Sequence, residues 1–297
     1  MSNPRYLQYC FDSFLYYLKT YKNFYSVIRR KRANKFPIYA ILRNGEHITF
    51  HNKFEALATA HGLRKCYDIN NDILIIKKKD LPLVRLYGWE DNGDLFAIFF
   101  EDTYGSLPVK NNDVIDIGAN IGDSSVYFAL KGAKKVIAVE PLPNNYELAK
   151  KNIQLNKLLN KIELITAACS SKSGHMLINP EKSGIEAHLV GGSEATNRIE
   201  IPLMTLEDIL KHSNSTFRIL KIDCEGYEYE IILSTACETL QKFSHIQIEY
   251  HYGYQNLQEK LEKCGFRISI TKPSTFRTPL GMNSRMYIGN LYAEKII

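Results

Sequence analysis

Apolar side chains at Phe11, Phe14, Leu15, Leu18, Tyr21, Phe24, Tyr25 and Ile28 recur every three or four positions, which predicts a helical stripe across the first thirty residues. The stripe runs into Arg29-Arg30-Lys31-Arg32, and cations there oppose the helix dipole, so a helix C-terminus is expected. From residue 37 the pattern becomes that of strands. Residues 38–42 and 47–50 flank Arg43-Asn44-Gly45-Glu46, and Asn-Gly accepts the positive φ values of a tight turn, so they predict a hairpin. A second hairpin is expected from residues 84–89 and 95–100 around Asp91-Asn92-Gly93-Asp94.

After residue 110 the chain alternates regularly. Short apolar runs at 114–117, 136–139, 162–166, 219–222 and 246–249 are separated by amphipathic segments near 123–132, 144–157, 205–212, 227–237 and 255–264. This predicts an α/β fold, a doubly wound and mostly parallel sheet with helices on both faces. Residues 1–75 read as an accessory region with helix and hairpin, and 76–297 as the main domain. In such a sheet, ligands bind outside the carboxyl ends of the strands, where strand order reverses. Residues 170–198 interrupt the alternation with Gly184, Gly191, Gly192, His175 and His188; short strands are expected at 175–178 and 187–190.

Residues 114–125, VIDIGANIGDSS, carry an acid at a strand end and two glycines four apart leading into a helix. Gly118 permits a sharp turn and a close backbone approach. Gly122 opens a helix whose N–H groups favour an anion such as a carboxylate. Asp116 is expected to accept from an ammonium, so an amino-acid-like ligand tail suits the pair. Glu140 ends the next strand, twenty-two residues beyond Gly118, where a carboxylate suits the two hydroxyls of a ribose. Together they select a nucleoside ligand, whereas the longer glycine gap and the preceding acid disfavour a dinucleotide pyrophosphate.

After the fourth strand stands Leu220-Lys221-Ile222-Asp223-Cys224-Glu225-Gly226-Tyr227-Glu228. With GANIG at 118–122 and VIAVEPLPNN at 136–145, this resembles the KIDxEGxE signature of the FkbM-type methyltransferase family, within the Rossmann-like S-adenosylmethionine-dependent methyltransferases. The resemblance extends from about residue 108 to 271 and leaves residues 1–75 uncovered. It implies that Asp116, Gly118, Ala119, Asn120 and Gly122 hold the methionine part of S-adenosylmethionine. Glu140 with Pro141 would take the ribose, Ala168 would border the adenine, and Asp223 would stand beside cofactor and reacting methyl alike. The acid-containing adenine motif usual after the third strand is replaced by Ala167-Ala168-Cys169-Ser170.

Asp223 and Glu225 lie two apart at a strand end and so face the same side. Methyl transfer to an alcohol needs a base, since a protonated hydroxyl is a poor nucleophile. His251 and Glu225 are both candidates, with Glu249 expected to orient His251 or to act as the base itself; imidazole titrates near ~6.5 when unperturbed. No metal-ligand spacing is present.

Charge changes the picture only locally. The chain carries 38 Lys+Arg against 32 Asp+Glu, but residues 1–35 hold eight of the basic side chains and one acid, so the remaining 262 residues are close to neutral. Nucleic acid is therefore a disfavoured partner, because tracking phosphates needs basic residues along the groove. Arg29, Arg30, Lys31 and Arg32 either cap a packed helix or contact an anionic membrane. The six cysteines are widely spaced and suggest neither a disulfide scaffold nor a zinc site. With no apolar window long enough to span a bilayer and no signal-peptide pattern, the expected location is cytoplasmic, with peripheral membrane association as an option. Residues 36–75 are a candidate substrate-recognition or homodimer element. The favoured activity is O-methylation of a hydroxyl on a sugar, glycan or other small metabolite. The alternatives are a noncatalytic nucleoside-binding adaptor docking through its basic helix, and an RNA methyltransferase.

Overall fold

The structure, a computed structural model, describes residues 14–90, 92, 94–178, 198–277 and 285–296. It divides into two compact units, Met1–Thr103 and Tyr104–Ile297.

In the first unit, α1 (residues 14–20) and α2 (Phe24–Arg32) replace the single helix expected from the apolar stripe. The break falls at Tyr21, whose backbone bridges Leu42 and whose hydroxyl donates to the Ala56 carbonyl at 2.7 Å. Pairing with a neighbouring strand end thus outcompetes helix continuation; Phe11 lies outside the described residues. The first hairpin forms as expected, β1 (Ile38–Ile41) against β2 (His47–Phe50), and α3 (Lys53–Ala60) follows with Asn52 as its N-cap.

The second expected hairpin does not form. β3 (Tyr67–Asn70), β4 (Ile73–Ile76) and β5 (Val84–Leu86) make an antiparallel sheet in that order, and Asp94–Phe99 is helix α4. Leu95, Phe96, Ile98 and Phe99 are all buried, a set that a strand would have divided between two faces. Phe54 packs edge-on against Trp89 and contacts Phe100, which ties the stretch after residue 75 to this unit and moves its end to Thr103. Part of the basic cluster is used internally. Arg30 donates to the Pro37 carbonyl at 2.9 Å, and Lys31 donates to the Tyr17 hydroxyl at 3.0 Å with its ammonium over that ring. Burial lowers the Lys31 pKa to about 8, while Arg29 and Arg32 are exposed.

The second unit is the expected doubly wound fold. Its strands are β6 (Asp113–Ile117), β7 (Lys135–Val139), β8 (Ile162–Ile165), β12 (Arg218–Ile222), β13 (His245–Tyr250), β14 (Phe266–Ile270) and β16 (Arg285–Lys295). They lie in the order β14-β16-β13-β12-β6-β7-β8, with β15 (Ser274–Arg277) added to β16. All neighbours pair in parallel except β16, which runs antiparallel to β13, β14 and β15. Helices α5 (Asp123–Leu130) and α6 (Pro143–Leu155) lead from β6 and β7, and α8 (Glu228–Ser234) from β12. The chain steps outward from β6 to β8 and then returns to β12, so the switch point lies between β6 and β12. β6 is buried along its whole length, as a central parallel strand covered on both faces must be.

The interruption after β8 contains a three-stranded sheet ordered β10 (Gly174–Ile178), β11 (Ile199–Met204) and β9 (Ala168–Cys169). The strand near 175–178 is present; that expected at 187–190 lies outside the described residues, with Gly184, His188, Gly191 and Gly192. Thr205 and Asp208 form a capping box that starts α7 (Leu206–Leu210).

The cysteine expectation is corrected. Cys237, which opens α9 (Cys237–Leu240), and Cys264, just after α10 (Gln255–Lys263), form a disulfide across 27 positions of sequence. The two helices bring the pair together, which spacing alone does not show. Among the described residues, no helix is long and apolar enough to cross a membrane.

Candidate functional site

The site is built where β6 and β12 meet. Asp116, at the end of β6, is fully buried; its Oδ2 accepts from the Ser124 hydroxyl at 2.7 Å and the Ser125 hydroxyl at 2.6 Å. The ammonium that faces it is the chain's own. Lys221 Nζ lies 3.1 Å from Asp116 Oδ1 and donates to the Gly118 carbonyl at 2.8 Å. Burial works against the lysine charge, yet Asp116, Asp223 and Asp123 outweigh it and raise the Lys221 pKa above the ordinary value. Lys221 therefore ties the β6 loop to β12.

The loop itself is shaped by left-handed residues, with φ of 77° at Gly118, 49° at Asn120 and 81° at Gly122. A Cβ on Gly118 would lie 1.8 Å from the Asp223 carbonyl oxygen, so the close approach that glycine permits here is to β12. A Cβ on Gly122 would come within 3.1 Å of Ala149 on α6. Ala119 is buried and, with Gly118, donates its N–H to the Val139 carbonyl. Asp123, also buried, occupies the first turn of α5, so the positive end of that helix already faces an acid.

Glu140 closes the β7 side. One oxygen accepts the Asn120 N–H at 2.9 Å and the other the Leu142 N–H at 2.9 Å, across the half-buried Pro141. Burial pushes its pKa up to about 7, against the lowering effect of those hydrogen bonds.

Beyond β12 the acids gather around a histidine. Asp223 donates its N–H to the Ile117 carbonyl and is half-buried. Glu225 adopts φ of 54° and is followed by Gly226 at 111°; a left-handed non-glycine residue costs roughly 1–2 kcal/mol, the kind of strain that clusters at functional sites. His251 is 3% exposed. Its Nδ1 lies 2.8 Å from Glu228 Oε1, which also accepts the His251 backbone N–H at 3.0 Å, and its Nε2 lies 3.4 Å from Glu225 Oε2. Burial acts to lower the His251 pKa, but Glu228, Asp223 and Glu225 outweigh it and raise it to about 9.

Orientation of His251, expected from Glu249, therefore belongs to Glu228. Glu249 sits half-buried on β13, opposite Asn290 of β16. A sequence reading assigns it by adjacency, but α8 carries Glu228 under the strand end. The available signal was the last acid of KIDxEGxE. Ala168 stands in β9, paired with Leu203.

The model of the methyltransferase FkbM domain matches residues 116–268, just over half the chain, and spans every residue of this site. The chain belongs to the FkbM methyltransferase family. Among curated relatives of this FkbM-family chain, methyltransferase sdnD of Sordaria araneosa is 26% identical over 168 residues, covering 46% of this chain and 65% of that protein. The tRNA (guanine(37)-N(1))-methyltransferase Trm5b of Methanocaldococcus jannaschii is 48% identical over 76 residues, covering 23% and 22%. The chain thus spans less than two thirds of either relative. Of solved structures, the METTL16 MTase domain is similar at a TM-score of 0.45 with 15% identity, covering 86% of both chains.

Proposed function

We propose that this FkbM-family chain is an S-adenosylmethionine-dependent methyltransferase that acts on a hydroxyl of a sugar, glycan or other small metabolite. The observation that carries the reading is Glu140. It is a buried carboxylate at the carboxyl end of β7, next to the switch point, held by two backbone N–H groups. A carboxylate has about four acceptor positions, so capacity remains for the two hydroxyls of a ribose. The residues present therefore fit the cofactor. Glu140 would hold the ribose, and the backbone of 118–122 would lie along the methionine part.

When bound, S-adenosylmethionine supplies a methyl group on a positively charged sulfur. The chain's own residues then have two tasks. The β12 loop positions the acceptor oxygen in line with that carbon. A carboxylate of the Asp223 and Glu225 pair beside His251 takes up the hydroxyl proton as the oxygen–carbon bond forms and the sulfur–carbon bond breaks.

Isothermal titration with S-adenosylhomocysteine tests the cofactor half of the proposal; one site per chain is expected, and no heat at pH 8 overturns it. Transfer of labelled methyl to a panel of saccharides, with tRNA alongside, tests the acceptor class. Label in tRNA alone would overturn the saccharide and small-metabolite acceptor in favour of RNA.

Glu140 also sets a pH dependence. Ribose hydroxyls donate to the ionised carboxylate, so binding favours loss of its proton, and affinity rises as pH passes through about 7. S-adenosylhomocysteine should bind roughly tenfold more weakly at pH 6 than at pH 8. Glu140→Gln should bind weakly at both values and lose this pH dependence.

A further inference from the structure

We propose that Glu228 is a positioning residue that fixes His251 as a donor from both ring nitrogens, which leaves Glu225 as the group that accepts the proton of the incoming hydroxyl. The catalytic half of this rests on the methyl-transfer reading above; the state of the ring does not.

The geometry around the ring carries the argument. Glu228 is fully buried and anchored at both oxygens: Oε1 takes the backbone N–H and Nδ1 of His251, and Oε2 takes the Gly226 N–H at 2.7 Å and faces Cys224 Sγ at 3.8 Å. Both acceptor contacts on Oε1 come from one residue, so backbone and ring of His251 are held together. An ionised carboxylate only accepts, so Nδ1 must carry a proton. On the other side Nε2 faces a second carboxylate, Glu225, at 3.4 Å. A bare lone pair there would point at a like-charged oxygen, whereas a proton turns the contact into an ion pair.

The other groups facing the ring act in the same direction. Asp223, from the β12 loop, adds a third carboxylate field, and the raised pKa of about 9 follows from these acids. Tyr252, beside the ring in sequence, has its own pKa raised first by burial and then by Glu228 and Glu225, so its hydroxyl stays protonated and adds no charge. A ring that already carries both protons cannot serve as base at neutral pH.

Glu225 differs in access. Its side chain is 49% exposed, against 3% for that of His251, so a proton it received could pass to solvent after each turnover. In the proposed step the acceptor oxygen gains the methyl carbon and loses its proton to a Glu225 oxygen. The sulfur–carbon bond breaks with its electron pair retained by sulfur, and charge balances as sulfonium and carboxylate are both neutralised. The His251 ring meanwhile keeps the Glu225 carboxylate turned toward the crevice.

The test is imidazole nitrogen NMR on the full chain labelled at histidine, from pH 6 to pH 10, with His251 assigned by loss of its signals in His251→Asn. Both His251 nitrogens are expected in the protonated range at pH 7.5, with a midpoint near 9. Glu228→Gln should lower the midpoint by at least one pH unit. Glu225→Gln, at an exposed position that leaves the fold intact, should lower it by a smaller amount. A neutral His251 ring at pH 7.5, or a midpoint indifferent to Glu225→Gln, overturns the proposal even if S-adenosylhomocysteine binds normally. Absence of cofactor binding with the ring protonated would instead overturn the methyl-transfer reading and leave the positioning role standing.

Discussion

Gly118→Ala is expected to destabilise the second unit by about 2–5 kcal/mol, combining the cost of a left-handed non-glycine residue with that of forcing an atom into a packed region. The added Cβ would sit 1.8 Å from the Asp223 carbonyl oxygen, and neither partner is a flexible side-chain end. The loop must lift from β12, breaking the Lys221 contact to the Gly118 carbonyl and displacing Asn120 from Glu140. Domains of this kind have only ~5–15 kcal/mol in total, so part of the protein would unfold at 37 °C. Gly265→Ala is the control. It has a similar φ of 85°, but its Cβ would meet only Gln241 at an ordinary 3.7 Å, so it reports the backbone strain alone. Urea titration followed by far-ultraviolet circular dichroism compares the two; equal midpoints would show that the approach to Asp223 has no energetic weight.

Lys221→Met should be comparably severe, about 3–5 kcal/mol, because it strands a fully buried Asp116 carboxylate. Adding Asp116→Asn should restore much of the loss, since an amide keeps acceptor capacity for Ser124 and Ser125 without a buried charge. The double-mutant cycle measures the coupling, and simple additivity would show that the pair does not interact. The sign of the pH effect follows from the raised lysine pKa. The stabilisation is complete below the free-lysine value near 10.5 and declines only as pH rises toward the higher folded-state value. Between pH 6 and pH 9 the deficit of Lys221→Met should therefore not arise from lysine titration in the parent protein.

Both variants act on the seam between β6 and β12, and that seam separates what was legible in the chain from what was not. The strand–helix alternation after residue 110 was legible because a central parallel strand is apolar throughout, whereas each covering helix shows a stripe at its own period. The motif 114–125, Glu140 and the acids after β12 were legible for a related reason: a doubly wound sheet brings strand ends to one edge, so local sequence reports a shared location. Residues 95–100 misled because a short apolar run suits a buried helix as well as a strand. Tyr21 misled because the pairing that breaks the stripe comes from Leu42, twenty-one positions away.

The sequence by itself determined the fold class, the carboxyl edge where the chemistry is placed, and the residue types gathered there, since these depend on periodicity and on spacing within single strand–loop–helix units. Only the tertiary structure decided which group each of those residues faces. Lys221 facing Asp116, Glu228 under His251 and Cys237 joined to Cys264 are contacts between different elements. Their distances are set by how the sheet and helices pack, and no spacing along the chain encodes them.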